Sequence, residues 1–532
     1  MRHLALLLAV QLSFGASACA LAAEPPKRPN VLLILADDLG YGDVQCYNPK
    51  RGKIPTPHID RLASQGMRFT DAHSSSACCS PSRYALLTGR YHWRTRLQSG
   101  IVQYLERPLI APEQLTIAGM LKQQGYHTAC IGKWHLGWDW DIPPSERKLF
   151  APGRRTFPDT TDRHRQAWQA RFSRPIAGGP TTRGFDVYFG TDVPNWPPYC
   201  FIDNDRTIGI PTEFLPAALF ENNLASTSGP ALADWKLEAI LPAMTERACD
   251  YIGQRAKSGQ PFFLYFPLTS PHTPLAVNEP WRGKSGLDSA VADLIMETDD
   301  AVGRVLAAVA QSGAQENTLV IFTSDNGFAS YVGVKHLEER GHYPSGPLRG
   351  YKADAWEGGH RVAFIARWPG VVEPRSVCDQ LVHQADVMST LAQIVGVTLP
   401  DDAGVDSFSL LPLLQGGKGP MREHAVSQSA LGLFALRRGD WKLLFGPGGG
   451  GGSSQLSATA PDGHPAQLYN LADDLGETKN RYGERPEIAG ELTGLLQHLI
   501  SAGRSTPGPL QKNDVEIQWR RFMKPEGVGD GQ

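Results

Sequence analysis

The sequence predicts an α/β fold, in which a large, mainly parallel β-sheet flanked by helices is followed by a smaller C-terminal unit with hairpin character. Three observations predict it. Apolar runs of three to five residues recur between positions 31 and 322, as strands buried on both faces require. Helical stretches lie between them, at 114–124 and 293–312. From about Gln380 the texture changes to short apolar runs broken by glycine.

The first run, Val31-Leu32-Leu33-Ile34-Leu35, ends in Ala36-Asp37-Asp38-Leu39-Gly40. Thr128-Ala129-Cys130-Ile131 leads into Gly132-Lys133-Trp134-His135, and Phe262-Phe263-Leu264-Tyr265-Phe266 into Ser270-Pro271-His272. Leu319-Val320-Ile321-Phe322 leads into Ser324-Asp325-Asn326-Gly327. Open α/β sheets bind ligands just beyond the carboxyl ends of their strands, so four polar clusters in that position predict one site. The C-terminal part reads as a hairpin over 434–445 turning at Gly439, a flexible glycine loop at 448–452, a strand at 467–471 and an amphipathic helix at 486–500. The expected organisation is a catalytic domain over 28–379, a C-terminal α+β subdomain over 380–504 and an irregular tail over 505–532.

At 532 residues the chain has room for several domains or for one large α/β domain with an appendage. Its net charge of −2 carries no global signal for nucleic acid or an anionic membrane. Only the N-terminus suggests targeting. Arg2 and His3 precede an apolar stretch from Leu4 to Phe14, and Ala20-Leu21-Ala22 offers a small-residue cleavage site. The expectation is a signal peptide over 1–22 and export to the periplasm or beyond, with lipid anchoring through Cys19 the minor alternative. No later segment is long and apolar enough to span a bilayer. Of eight cysteines, six remain once Cys19 and Cys79 are set aside. That number permits disulfides in an exported protein and equally fits buried free thiols.

The most informative stretch is Cys79-Ser80-Pro81-Ser82-Arg83, running on to Leu87-Thr88-Gly89-Arg90. Ser80 suits an N-cap, Pro81 a first helical position and Gly89 a C-terminal stop, so the segment reads as a short helix with Cys79 at its mouth. An anion belongs at such an end. The stretch resembles the maturation signature of type I sulfatases, C-x-P-S-R followed by L-T-G-R. The resemblance covers roughly Asn30 to Leu499 and implies an alkaline-phosphatase-like fold: a large mixed, mainly parallel sheet, with a smaller C-terminal antiparallel sheet plus helix.

The resemblance also implies a chemistry. Cys79 would be oxidised by a maturation enzyme to formylglycine, whose hydrate attacks sulfur. Asp37, Asp38, Asp325 and Asn326 offer hard oxygen ligands that suit Ca²⁺ or Mg²⁺. They match the family's metal set, with Ca²⁺ the expected ion and the modified Cys79 completing the shell. Arg83, Lys133 and Lys352 would neutralise the sulfate. Asp325 would accept the first proton, His272 would protonate the departing alcohol, and His135 would deprotonate the second hydroxyl to release sulfate. Around Lys352, Tyr351 and Ala353 depart from the family's glycine-rich pattern.

Substrate choice lies outside these motifs. Nine Arg or Lys against three acids lie between Glu146 and Arg183, with Trp138, Trp140, Trp168, Trp196 and Tyr199 interleaved or adjacent. Such a surface suits a sulfated sugar chain by ion pairing and stacking, with small aryl sulfates also accepted; the plain alternative is a solvated basic insertion. His336 and His342 are candidates for the pocket rim. Two other functions remain open at this point: a phosphonate or phosphate ester hydrolase of the same superfamily, and a catalytically silent binder of sulfated glycans.

Overall fold

The computed structural model describes residues 28–150, 160–216, 226–451 and 462–523. The expected leader with Cys19, Arg154 and Arg155 of the basic stretch, Gly452, and positions 524–532 lie outside the described residues.

A ten-stranded sheet runs in the order Ser376–Cys378, Met67–Phe69, Phe364–Arg367, Thr318–Ser324, Asn30–Asp37, Phe262–Pro271, His127–Ile131, Val187–Gly190, Ile202–Asp203, Arg206–Thr207. The five strands from Thr318–Ser324 to Val187–Gly190 are mutually parallel. Antiparallel pairs join the outer strands to them, so the sheet is mixed and mainly parallel. The apolar runs explain its centre. Leu33 and Leu35 share one core with Ile117, Leu121 and Leu391, whereas Leu32 and Ile34 share another with Ile295, Val302 and Val305. Alternate side chains of one strand therefore bury against helices on opposite faces, each worth about 1.5–3 kcal/mol. The expected helices are present as Ile117–Gln123 and Ala290–Gln311.

The strand expected at 262–266 continues to Pro271. Its register against Asn30–Asp37 shifts between Leu35 and Asp37, which sets Asp37 opposite Pro271 and brings His272 to the same edge. The strand Val382–His383 pairs with Ala72–His73, and the helix Asp386–Val395 shares the core beneath Leu86 and Leu87.

The C-terminal part forms a four-stranded antiparallel sheet, His424–Gln428, Phe434–Arg438, Trp441–Leu444 and Gln467–Asn470. The helix Pro486–Ala502 packs Leu492, Leu496 and Leu499 on Val426, Leu436 and Leu468. Its glycine tract differs from the expected flexible loop. Gly449 O accepts Ala355 N at 2.7 Å, and a Cβ on Gly451 would lie 2.6 Å from Ala353 O. Close backbone approach explains these glycines. Residues 505–523 have no regular structure but are tied down, Asp514 to Arg90 at 2.8 Å and Ser505 to Asp406 at 2.6 Å. All seven cysteines among the described residues are free. None of the described helices is long and apolar enough to cross a membrane.

Candidate active site

The Cys79–Thr88 helix is buried along its whole length. It starts earlier than the sequence suggests. Cys78 is the capping residue, in extended conformation and without a side-chain cap, and Cys79 is the first helical residue. Ser80 is not the N-cap: its Oγ accepts Val102 N at 3.2 Å, a partner distant in sequence that outcompetes local capping. Pro81 still falls within the first turn, where a missing N–H costs nothing. Gly89 closes the helix in the left-handed region at φ 63°, as expected.

Two turns at neighbouring strand ends build the acidic floor. Asp325 N donates to Ala36 O at 3.0 Å, and Asp38 N donates to Asp325 Oδ1 at 3.1 Å. Asp38 itself turns through φ 66°, which swings its carboxylate back over the strand ends. Asn326 Nδ2 donates to Asp38 Oδ1 at 2.8 Å, so its amide oxygen faces the other way. Asp37, Asp38 and Asp325 each place an oxygen within 4.8 Å of the others, and Asp37, Cys79 and His272 form a second overlapping group at the same separation.

Three cations stand against this floor. Arg83 donates through Nε and Nη2 to Asp325 Oδ2 at 3.1 and 2.7 Å, and through Nη1 to Lys133 O at 3.1 Å. Lys133 Nζ lies 2.6 Å from Asp37 Oδ2, and Lys352 Nζ lies 2.7 Å from Asp38. Lys133 is placed by a close strand crossing. Its N donates to Pro267 O at 2.8 Å, and a Cβ on the preceding Gly132 would sit 1.9 Å from that oxygen. Burial and the neighbouring Asp37 push the Asp325 carboxyl up to about 6, against Arg83 and both lysines. Burial also raises Asp38, but Lys352 and His272 outweigh it and leave that carboxyl below its ordinary value. Burial pushes the Cys79 thiol up.

The two histidines are oriented by backbone carbonyls. His272 Nδ1 donates to Thr273 O at 2.7 Å, which turns Nε2 to within 3.7 Å of Asp38. His135 Nε2 faces Val102 O at 3.1 Å, leaving Nδ1 buried with no hydrogen-bond partner. Burial, then the nearby Lys352 for His272 and Lys133 for His135, holds both imidazoles well below their ordinary value. Both are neutral here. Nothing in the sequence marks Val102 or Thr273 as orienting groups.

Burying Asp37, Asp38, Asp325, Arg83, Lys133 and Lys352 together costs desolvation that packing alone never repays, so the cluster needs a functional reason. The donor set supplies one. Asp37 Oδ1 and Asn326 Oδ1 are buried acceptors without a hydrogen-bond partner. Such oxygens, beside two further carboxylates, make a donor set dominated by oxygen, with His272 and Cys79 at its edge, and fit a hard divalent cation.

The comparisons with known proteins agree with this geometry. The family model described as Sulfatase matches residues 29–397. The chain belongs to the sulfatase family. It is 33% identical over 491 residues to an N-acetylgalactosamine-6-O-sulfatase of Bacteroides thetaiotaomicron, covering 88% of this chain and 93% of that one. It is 33% identical over 496 residues to human arylsulfatase A, covering 91% and 88%. A Bacteroides thetaiotaomicron structure from work on the metabolism of multiple glycosaminoglycans superposes with a TM-score of 0.75 at 30% identity, covering 89% of this chain and 99% of that one. This protein is therefore a sulfuric ester hydrolase.

Several expected features of the sulfatase lie elsewhere. Trp138, Trp140, Trp168 and Tyr199 are buried and offer no stacking surface. Trp140 packs edge-on against Phe172, and Trp168 Nε1 donates to Leu149 O at 2.7 Å. These rings pin the basic segment to the core because its own polar residues cannot. Arg183 is also structural, donating to Ile110 O at 2.8 Å. Of these expected rings, Trp196 alone is both partly exposed and beside the site, its ring 5.6 Å from that of His135. His342 is buried between Asp43 and Lys53 N, and His336 caps the carbonyls of Leu287 and Asp288, so neither borders the pocket. At the departures, Tyr351 hydrogen-bonds Glu338, and Ala353 occupies φ 80°, a conformation that favours glycine.

Proposed function

We propose that this sulfatase is exported and hydrolyses sulfate esters of carbohydrates, accepting small aryl sulfates as well, with Ca²⁺ held by Asp37, Asp38, Asp325 and Asn326 and with formylglycine made from Cys79. The carrying observation is the pair of buried oxygens that no hydrogen bond satisfies, Asn326 Oδ1 and Asp37 Oδ1, the latter faced by Arg83 Nη2 at 3.5 Å, beside a cysteine at a helix mouth. The ion would supply Lewis-acid charge at the sulfate, and the hydrate of the aldehyde would supply both a nucleophilic hydroxyl and a second hydroxyl through which sulfate leaves. A maturation enzyme in the same cell has to make the aldehyde.

The side chains of this chain do the rest. Lys133 and Lys352 hold the sulfate oxygens, while the buried Arg83 adds positive charge behind them and keeps Asp325 in place, in a site dry enough for those contacts to count. Asp325, its carboxylate held by Arg83 beside Asp37, accepts the first proton. Bringing an anionic ester beside His272 raises its affinity for a proton at Nε2, the ring nitrogen that its Thr273 contact leaves available to protonate the departing alcohol. His135 takes a proton at Nδ1, the nitrogen its Val102 contact leaves bare.

The sulfated-carbohydrate assignment rests on the N-acetylgalactosamine-6-O-sulfatase relative, with the partly exposed Trp196 ring beside His135 a nearby aromatic group. Ion chromatography of sulfate released from 6-sulfated N-acetylgalactosamine, other sulfated sugars, intact polymers and nitrophenyl sulfate tests it. Release from one sugar linkage well above the aryl ester is expected. Turnover of the aryl ester alone would contradict the carbohydrate assignment.

A further inference from the structure

A second buried cluster lies behind Lys352, outside the reacting groups. His73, Glu357 and His360 bring ligand atoms together as a cation site would. An ammonium is already there. Lys442, on the C-terminal strand Trp441–Leu444, puts Nζ 2.9 Å from Glu357 Oε1, 2.8 Å from Glu477 Oε1 and 3.2 Å from His360 Nε2. Glu477 Oε2 in turn accepts Glu357 N at 2.6 Å, and Arg361 Nη1 covers Glu357 Oε2 at 3.1 Å. Glu357, Glu477 and Lys442 are all at most 1% exposed.

The segment this ammonium holds is the one that carries Lys352. Lys352 N donates to Phe328 O at 2.8 Å, Ala353 N to Ala77 O at 2.8 Å, and Ser74 N to His360 O at 2.8 Å. The segment is thus threaded between the Asp325-Asn326 turn and the approach to Cys79, and the bond between Glu357 N and Glu477 fixes its far end. Without Lys442, two buried carboxylates face each other with no cation between them, and the bond that depends on their closeness is lost. A site residue displaced by about 1 Å can cost about 100-fold in rate.

We propose that Lys442 is a positioning residue for Lys352, so that the C-terminal sheet takes part in sulfate recognition through a buried ammonium. The proposal rests on the reading of Lys352 as a sulfate-binding cation. The test uses matured enzyme, nitrophenyl sulfate as substrate and inorganic sulfate as competitive inhibitor. Because Lys442→Met alone leaves Glu477 without its ammonium and takes one of two cations from Glu357, the main variant is Lys442→Met/Glu477→Gln, which removes one charge of each sign at similar volume. Folding is checked by thermal melting. In the wild-type background the double variant is expected to lose about tenfold or more in kcat/KM and to bind sulfate correspondingly less well. In a Lys352→Ala background the same pair should change residual kcat/KM by less than about twofold, since the group to be positioned is gone. Wild-type kinetics in the folded double variant, or the same fold loss in both backgrounds, would overturn the proposal. Near-full activity of Lys352→Ala would instead overturn the reading of Lys352 on which it rests.

Discussion

At the residue scale, the site depends on groups whose chemistry no isostere reproduces. Cys79→Ser and Cys79→Ala are expected to fold, since the position needs only a small buried side chain, and to show no turnover of nitrophenyl sulfate. Near-full activity of either would sink the mechanism. His272 permits a finer prediction. Nitrophenolate leaves with little protonation whereas a sugar alkoxide does not, so His272→Ala should cost about 100-fold or more on a sugar sulfate and far less on nitrophenyl sulfate. Equal losses on both, measured as kcat/KM, would remove His272 from the leaving-group role. Cys79 was legible in the sequence because it sits at a fixed offset within a long motif, and His272 because it follows a buried apolar run in a short polar cluster. The groups that orient them were not: Val102 O and Thr273 O are main-chain atoms, which any residue type supplies.

At the element scale, the sheet centre was legible because strands buried on both faces must be apolar throughout, and four such runs end in polar residues. Val187–Gly190 and Met67–Phe69, at four and three residues, are too short to show a period. The early start of the Cys79 helix escaped as well, since Ser80 finds its partner 22 residues away. The strand ends also carry tight packing that substitution should expose. Gly132→Ala drives a methyl into Pro267 O and is expected to cost about 3 kcal/mol or more in urea unfolding, with activity falling as Lys133 moves. Ala353→Gly should do the opposite. Relief of its φ of 80° is worth about 1–2 kcal/mol against about 0.5–1 kcal/mol of added chain entropy, so the urea midpoint should hold or rise slightly.

At the scale of the whole molecule, buried charge joins the two sheets. Asp71 beyond the large sheet accepts from His73 at 2.8 Å, and faces Arg361 at 3.2 Å and Arg437 of the C-terminal sheet at 2.9 Å. Burial raises its carboxyl, but these three partners overcome that and hold it down at about 2. A depressed carboxyl stabilises the fold above its unfolded value near 4 and loses that contribution as pH falls through about 2. Asp71→Asn should therefore cost about 2 kcal/mol in urea unfolding at pH 7, with the deficit shrinking below pH 4. An equal deficit at pH 7 and pH 3 would show that packing, not charge, is what Asp71 contributes. Contacts of this reach were invisible in the sequence, which is also why the interleaved tryptophans read as a sugar platform when they anchor the basic segment. The central claim, that sulfate ester hydrolysis runs through a modified Cys79, is tested most directly by measuring sulfate release against the fraction of Cys79 converted to aldehyde, determined by peptide mass. Specific activity should rise in proportion to the aldehyde and vanish at zero conversion. Release from unconverted protein, or none from fully converted protein on any sulfate ester, would contradict it.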